Sequence, residues 1–121
     1  MKYLTIDADD IGRKITSHYL NNSPSELGKL SASLDKSTFD VSSMLKGLGF
    51  EVIFCAADGI AGYIKKDVDF LSVFDSVSEL SPPEFTYSAG VGGTLRESYM
   101  ALMMAKSDGK SCLRFYSDLR D

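Results

Sequence analysis

Apolar residues along this chain switch between strand and helix spacing, and the switches mark its elements. Tyr3 to Ile6 is a short apolar run of strand character. A helix is expected from near Asp10 to about Leu20, where Asn21-Asn22-Ser23-Pro24 interrupts it. Ser23 then stands as N-cap of a second helix, with Pro24 at its first position and Glu26 in the capping-box place. Leu27, Leu30, Leu34, Val41, Leu45 and Leu48 recur near helical spacing. Asp35-Lys36-Ser37-Thr38 is a point where this helix is expected to kink or split, and Gly47 and Gly49 mark its end. Phe50 to Cys55 and Ile60 to Ile64 read as strands joined by the turn signal Asp58-Gly59, a hairpin with Asp58 at its tip. Asp67 to Leu80 returns to helical spacing, with Val68, Leu71, Val73, Phe74 and Val77 available for packing. After the loop Ser81-Pro82-Pro83 come a strand from Phe85 to Val91 and a Gly92-Gly93 turn. A helix capped by Thr94 and Glu97 then runs to about Lys106, and Cys112 to Tyr116 is a last strand.

The order is β-α-α-β-β-α-β-α-β, without a repeat or linker, and predicts a single domain over residues 1–121. It fits an α+β fold of ferredoxin-like type, an antiparallel sheet with helices packed on one face. There the first strand and the hairpin lie side by side at the sheet centre. Asp7 and Asp58 would then converge at one edge.

Composition narrows the chemistry. A net charge of −4 argues against capture of long nucleic acid, which needs a basic surface. It does not argue against a nucleotide, whose phosphates a metal and a few lysines can neutralise. Cys55 and Cys112, both in strand-like runs, are expected to be buried thiols in a reducing compartment. No apolar run approaches membrane-spanning length and no leader pattern begins the chain. The expectation is a cytoplasmic protein without direct membrane contact. His18, the single histidine, cannot build a zinc site.

Asp7, Asp9 and Asp10 follow the first apolar run directly. Crowded carboxylates repel one another and resist desolvation, so they call for a cation. The alternative for Asp9 and Asp10 is that they serve free N–H groups at the helix start. Lys106 falls among Leu95, Leu102 and Met103 on the apolar side of its helix, so it must snorkel or reach something anionic. Lys110 and Arg13 are further candidate phosphate partners, and Gly90-Val91-Gly92-Gly93 is either an anion-binding nest or a tight strand-to-helix turn.

Several stretches together resemble a known family: Asp7-Ala8-Asp9-Asp10-Ile11-Gly12, the hairpin Phe54-Cys55-Ala56-Ala57-Asp58-Gly59, Ser88-Ala89-Gly90-Val91-Gly92, and Tyr99 through Ala105-Lys106 to Gly109-Lys110. The set resembles the palm of GGDEF and CRISPR-type polymerases, and most of all the minimal CRISPR polymerase (mCpol) group, over nearly the whole chain. The resemblance implies a palm domain that joins nucleoside triphosphates into cyclic oligonucleotide signals with magnesium or manganese. It implies Asp7, the Ala8 carbonyl, Asp58 and, less directly, Asp9 as metal ligands, with Asp7 and Asp58 catalytic. Lys106 and Lys110 would hold the triphosphate, with Arg13 and Gly12 beside them. It also implies a homodimer with two sites facing each other, and a role in antiviral defence in which the signal controls a membrane effector. Three departures stand out. Ala56-Ala57 replaces the expected glycine pair, Gly59 replaces an acid, and Ile15 replaces the asparagine that reads guanine, which favours ATP over GTP.

Two other readings compete. A degenerate palm would bind a nucleotide or dimerise without turnover, as Ala56-Ala57 and Gly59 suggest. An aspartate-nucleophile phosphatase is suggested by Asp7-x-Asp9, but it needs a parallel sheet that a hairpin here opposes.

Overall fold

The strand and helix periods resolve, in a computed structural model that describes residues 1–119, into a sheet with helices on both sides. The elements are β1 (Lys2–Ala8), α1 (Ile11–Leu20), α2 (Pro24–Gly47), β2 (Glu51–Ala56), β3 (Gly59–Ile64), α3 (Phe70–Glu79), β4 (Tyr87–Gly92), α4 (Leu95–Ser107) and β5 (Leu113–Phe115). Sheet order is β2-β3-β1-β4-β5. The first four strands pair antiparallel in the ferredoxin-like order, so β1 is central and β2 is an edge. β5 pairs parallel with β4, because α4 is a crossover that returns the chain in the same direction. The fully antiparallel sheet expected from the pattern therefore holds for four strands of five.

α2 and α3 cover one face. Their Leu34, Val41, Leu45, Val73 and Val77 form one apolar core with Leu4 and Ile6 of β1, Ile60 and Ile64 of β3, and Tyr87, Ala89 and Val91 of β4. α4 departs from the expectation of helices on a single face: it packs on the opposite side, against β4 and β1. β4 explains this. Its other register, Ser88, Gly90 and Gly92, is small and fully covered. A Cβ on Gly90 would stand 2.2 Å from the Leu102 amide nitrogen and 2.3 Å from the Ser98 carbonyl. The glycines thus admit a helix backbone onto the strand and do not form an anion nest. Gly90→Ala should cost about 2–3 kcal/mol through overpacking, read as a lower midpoint in chemical denaturation.

α2 runs unbroken through Asp35–Thr38. The hydroxyls there find partners that suit a helix. Thr38 donates to the Leu34 carbonyl at 2.9 Å, and Ser37 reaches the Leu80 carbonyl and the Tyr87 hydroxyl at 2.8 and 2.7 Å. α3 starts later than expected, at Phe70, because the Asp69 side chain caps Leu71 and Ser72. Ser23 occupies its N-cap position without a side-chain cap bond. Cys55 lies exposed on the edge strand, not buried as expected, and Cys112 is half-buried; both are free thiols. Among the described residues, no helix is long and apolar enough to cross a membrane.

Candidate active site

The C-terminal end of β1 is clamped from both sides. Ala8 N–H donates to the Asp58 carbonyl at 2.9 Å, and Asp9 N–H donates to the Thr86 carbonyl at 2.8 Å. Asp7 pairs across with Gly59 on one neighbour and Ser88 on the other. Strand alternation puts Asp7 on the face of Thr5, which meets α4 through its bond to Ser98. Lys106, near the end of α4, descends onto this strand end. Its ammonium donates to the Ala8 carbonyl at 3.1 Å and Asp9 Oδ1 at 2.7 Å, and pairs with Asp7 Oδ2 at 3.1 Å. The anion that Lys106 needed is supplied by the chain itself.

Asp9 is 3% exposed and is saturated by donors. Oδ1 accepts from Ser88 and Lys106, and Oδ2 accepts from Thr86 and the Ser111 N–H. A carboxylate offers about four acceptor sites, and these four donors fill them. Burial pushes the Asp9 carboxyl up, but the bonds from Lys106, Thr86 and Ser88 outweigh it and hold it below the usual carboxylate value. In this arrangement Asp9 anchors Lys106 and ties the end of β1 to β4 and to the turn at Ser111. Asp7 goes the other way. Burial raises it, Lys106 offsets part of the rise, and Asp58 and Asp9 add to it. For Lys106, burial lowers the pKa, and hydrogen bonds to Asp9 and Asp7 turn the net shift upward.

Asp10 forms a second layer. It sits at the N-cap of α1 with a φ of 62° and makes no side-chain cap bond, contrary to the helix-start role considered for it. Its carboxylate instead takes Lys110, and Arg13 at 3.3 Å. The bond from Lys110 leads the fall of its pKa below the ordinary value. The turn that brings Lys110 there has positive φ at Lys110 and Ser111, 68° and 52°. Gly12, the second residue of α1, is exposed with nothing within 4 Å of where a Cβ would stand.

Asp58 is half-buried in the hairpin turn, close enough to Asp7 to raise its pKa. Ala57 before it is held at φ 50°, where a Cβ is crowded. Ala57→Gly should therefore stabilise the domain by about 1 kcal/mol, read as a higher thermal midpoint. Gly59 faces Asp7, and a Cβ there would lie 3.6 Å from Asp7 Oδ1. The position that lost its acid thus points at the carboxylate.

The structure gathers Asp7, Ala8, Asp9, Asp58 and Lys106 at one point and sets Lys110, Arg13 and Gly12 just beyond it. Among the described residues, no three Asp, Glu, His or Cys side chains converge as a metal cluster. The donor set still fits magnesium, which takes hard oxygens and is commonly held by one or two carboxylates plus phosphates. Thr86, Ser88 and Ser111 went unrecognised in the sequence. Only Ser88 left a trace there, as a hydroxyl within an otherwise apolar, glycine-rich strand.

The family model for the minimal CRISPR polymerase domain, mCpol, matches residues 3–116. The chain belongs to the mCpol family. Among curated proteins, no sequence matches significantly. Solved structures similar to this mCpol domain include GGDEF domains. The GGDEF domain of DgcB from Caulobacter crescentus, in complex with c-di-GMP, superposes with a TM-score of 0.71 at 8% identity, covering 97% of this chain and 78% of that one. The active GGEEF domain of a diguanylate cyclase from Vibrio cholerae gives 0.62 at 14% identity, covering 95% and 81%. The GGDEF domain of TpbB (YfiN) from Pseudomonas aeruginosa gives 0.62 at 14%, covering 95% and 76%. At such identities the likeness is one of fold. It places the mCpol domain among folds of the GGDEF type.

Proposed function

We propose that this mCpol domain is a metal-dependent nucleotidyltransferase that joins nucleoside triphosphates, ATP ahead of GTP, into a cyclic dinucleotide or small cyclic oligonucleotide. The observation that carries this reading is Lys106: a cation already stands on the Asp7 carboxylate and the Ala8 carbonyl, next to the hairpin acid Asp58. In the reaction a sugar hydroxyl attacks the α-phosphorus of a second triphosphate, the bond to the β-phosphate oxygen breaks, and pyrophosphate leaves.

Magnesium or manganese, held by Asp7, the Ala8 carbonyl and Asp58, would supply activation of the hydroxyl and neutralisation of charge on the leaving oxygen. The chain's own groups do the rest. Asp9 fixes Lys106 by a bond that burial strengthens, so Lys106 offers its charge from a set position. Lys110 and Arg13 bind the triphosphate, exchanging Asp10 for phosphate oxygens. The first backbone N–H of α1 to find a turn partner is that of Lys14, so the amides around Gly12 face the same anion. Ile15 is half-buried against the core and offers guanine no hydrogen bond, which supports ATP. Closure of a dinucleotide ring requires two such sites, so a homodimer follows. Family membership supports a role in antiviral defence, in which the product and not this domain addresses a membrane effector.

Purified protein with ATP, GTP and magnesium or manganese should release pyrophosphate and form a cyclic product that mass spectrometry identifies. No pyrophosphate and no product would overturn the proposal. Ala56-Ala57 and Gly59 favour a second reading, a palm that binds nucleotide without turnover; calorimetric binding with no product would support it.

A further inference from the structure

Beside the carboxylates lies a groove of about 720 Å3 that the chemistry above does not use. Thr5 and Asp7 of β1 and Ala61 of β3 form its floor, Phe54 of β2 one wall, and Tyr99 and Met103 of α4 the other. α4 packs on β4, β1 and β5, and the hairpin side of the same face stays open.

A backbone irregularity shapes this groove. β2 pairs with β3 at Val52↔Gly62 and next at Phe54↔Ala61, so Ile53 is an extra residue. Strict alternation from Val52 would send Phe54 to the α2 side of the sheet. The bulge places it opposite Ala61 instead, on the face of Thr5 and Asp7. Cys55 resumes the α2 side, with its Sγ near the Thr38 carbonyl. Phe54 is left 54% exposed, and its ring edge lies 3.6 Å from where a side chain at Gly59 would begin. Ile53, Leu95, Tyr99 and Met103 around it are also about half exposed. Turning a phenyl ring from the core to solvent on an edge strand forfeits burial and invites aggregation, so this apolar patch is one that something covers.

The two ends of the groove carry opposite charge. At one end stands Asp7, with Asp58 beside it. Asp7 shares Lys106 with Asp9, and Asp58 has no ion-pair partner among the described residues. At the other end stands Arg96, exposed and likewise without an ion-pair partner among the described residues. Arg96 precedes Lys106, which holds Asp7, by ten positions of α4, a span of about 15 Å at 1.5 Å per residue. Tyr99 and Met103 lie between. Such a surface is complementary to its own copy turned end for end. A twofold axis across the groove brings the apolar middles together and sets each basic end on the other copy's acidic end, the reciprocal exchange of an isologous interface. We propose that this groove is the face by which two copies of the chain meet, with the partner's Arg96 delivered to Asp7 and Asp58. The choice of a second copy rests on the nucleotidyl-transfer reading above. Ring closure needs two sites within reach, whereas a foreign protein seated over Asp7 would cover one site and supply none. Phe54 and Tyr99 are the aromatic anchors of the interface. Each arginine adds to the other copy's site a cation beyond Lys106, where the charge of a triphosphate gathers.

Sedimentation equilibrium, which needs neither nucleotide nor turnover, tests this. It is run on wild type, Tyr99→Asp, Arg96→Glu, Asp58→Lys and the double variant Arg96→Glu with Asp58→Lys, with thermal melts as fold controls. Wild type should be a concentration-dependent dimer. Tyr99→Asp should weaken the dimer about thirtyfold or more, as loss of one aromatic anchor implies. Each single charge reversal should weaken it about tenfold or more, because like charges then meet between copies. The double variant should recover most of that loss, since reversing both ends restores the pairing. Wild type that is monomeric at every concentration would overturn the proposal. So would a dimer that Tyr99→Asp leaves unchanged, or a double variant no tighter than the weaker single one. A dimer without pyrophosphate release would count against the transferase reading alone, and pyrophosphate release by a monomeric wild type against the groove alone.

Discussion

Lys106→Met is expected to destabilise the domain by about 3–5 kcal/mol, the cost of leaving a buried carboxylate without its counter-charge. Asp9 is the group left behind. It is 3% exposed, and its remaining donors are two hydroxyls and one amide. Asp7 and Asp58 would also face it with less compensation. Urea denaturation at neutral pH should show the full loss. The pH dependence has a definite sign. Asp9 has a folded pKa below its unfolded value, so its contribution is present above the ordinary carboxylate range and is lost as pH falls through the folded value. Lys106 has a folded pKa above its unfolded value, so its contribution is complete below the ordinary lysine range and is lost as pH rises through the folded one. Wild type should therefore lose stability at both extremes, and Lys106→Met should show flatter acid and alkaline limbs. A double variant, Asp9→Asn with Lys106→Met, should recover part of the loss, because neither charge is then stranded.

Asp7→Asn is expected to do the reverse, removing activity while sparing the fold. Under the proposed function, cyclic product formation should fall by about a thousandfold or more, because the charge that would stand beside the reacting phosphate is gone. Stability should hold or rise. Burial and the nearby Asp58 and Asp9 carboxylates outweigh Lys106, so the Asp7 charge opposes folding at neutral pH and is relieved as pH falls through its raised pKa. A higher melting temperature with lost turnover would mark Asp7 as kept for chemistry at a cost in stability. A lower melting temperature would mean that its pair with Lys106 is structural. Asp58→Asn should match the activity loss.

Local signals carried much of this layout into the sequence. Thr94 and Glu97 cap α4 as their spacing implied: Glu97 N–H reaches the Thr94 hydroxyl at 3.1 Å, and the Glu97 carboxylate takes the Gly93 N–H. The hairpin and the run ending at Asp7 were equally legible, because turn chemistry and alternation are local. The hidden features depended on the third dimension. Ser37 and Thr38 looked like helix breakers until tertiary partners absorbed their hydroxyls. The donors that surround Asp9 could not be read from the sequence, because Thr86, Ser88 and Ser111 are far away in the chain. Asp10 looked like a cap because Lys110 is a hundred positions away. The exposure of Phe54 was equally hidden, because one extra residue in β2, between Val52 and Phe54, reverses the face of its successors.

The glycine contacts of β4 have a further consequence, for what can change in this domain over time. Gly90 and Gly92 lock α4 to the sheet at Leu102 and Ser98, and Lys106 is displayed at the far end of the same rigid rod. One residue inserted between Ser98 and Lys106 would turn the ammonium by about 100° and shift it by about 1.5 Å, away from both carboxylates. α4 therefore works as a ruler whose length is not negotiable. The Asn21–Ser23 and Ser81–Pro83 connections measure nothing, and insertions should collect there.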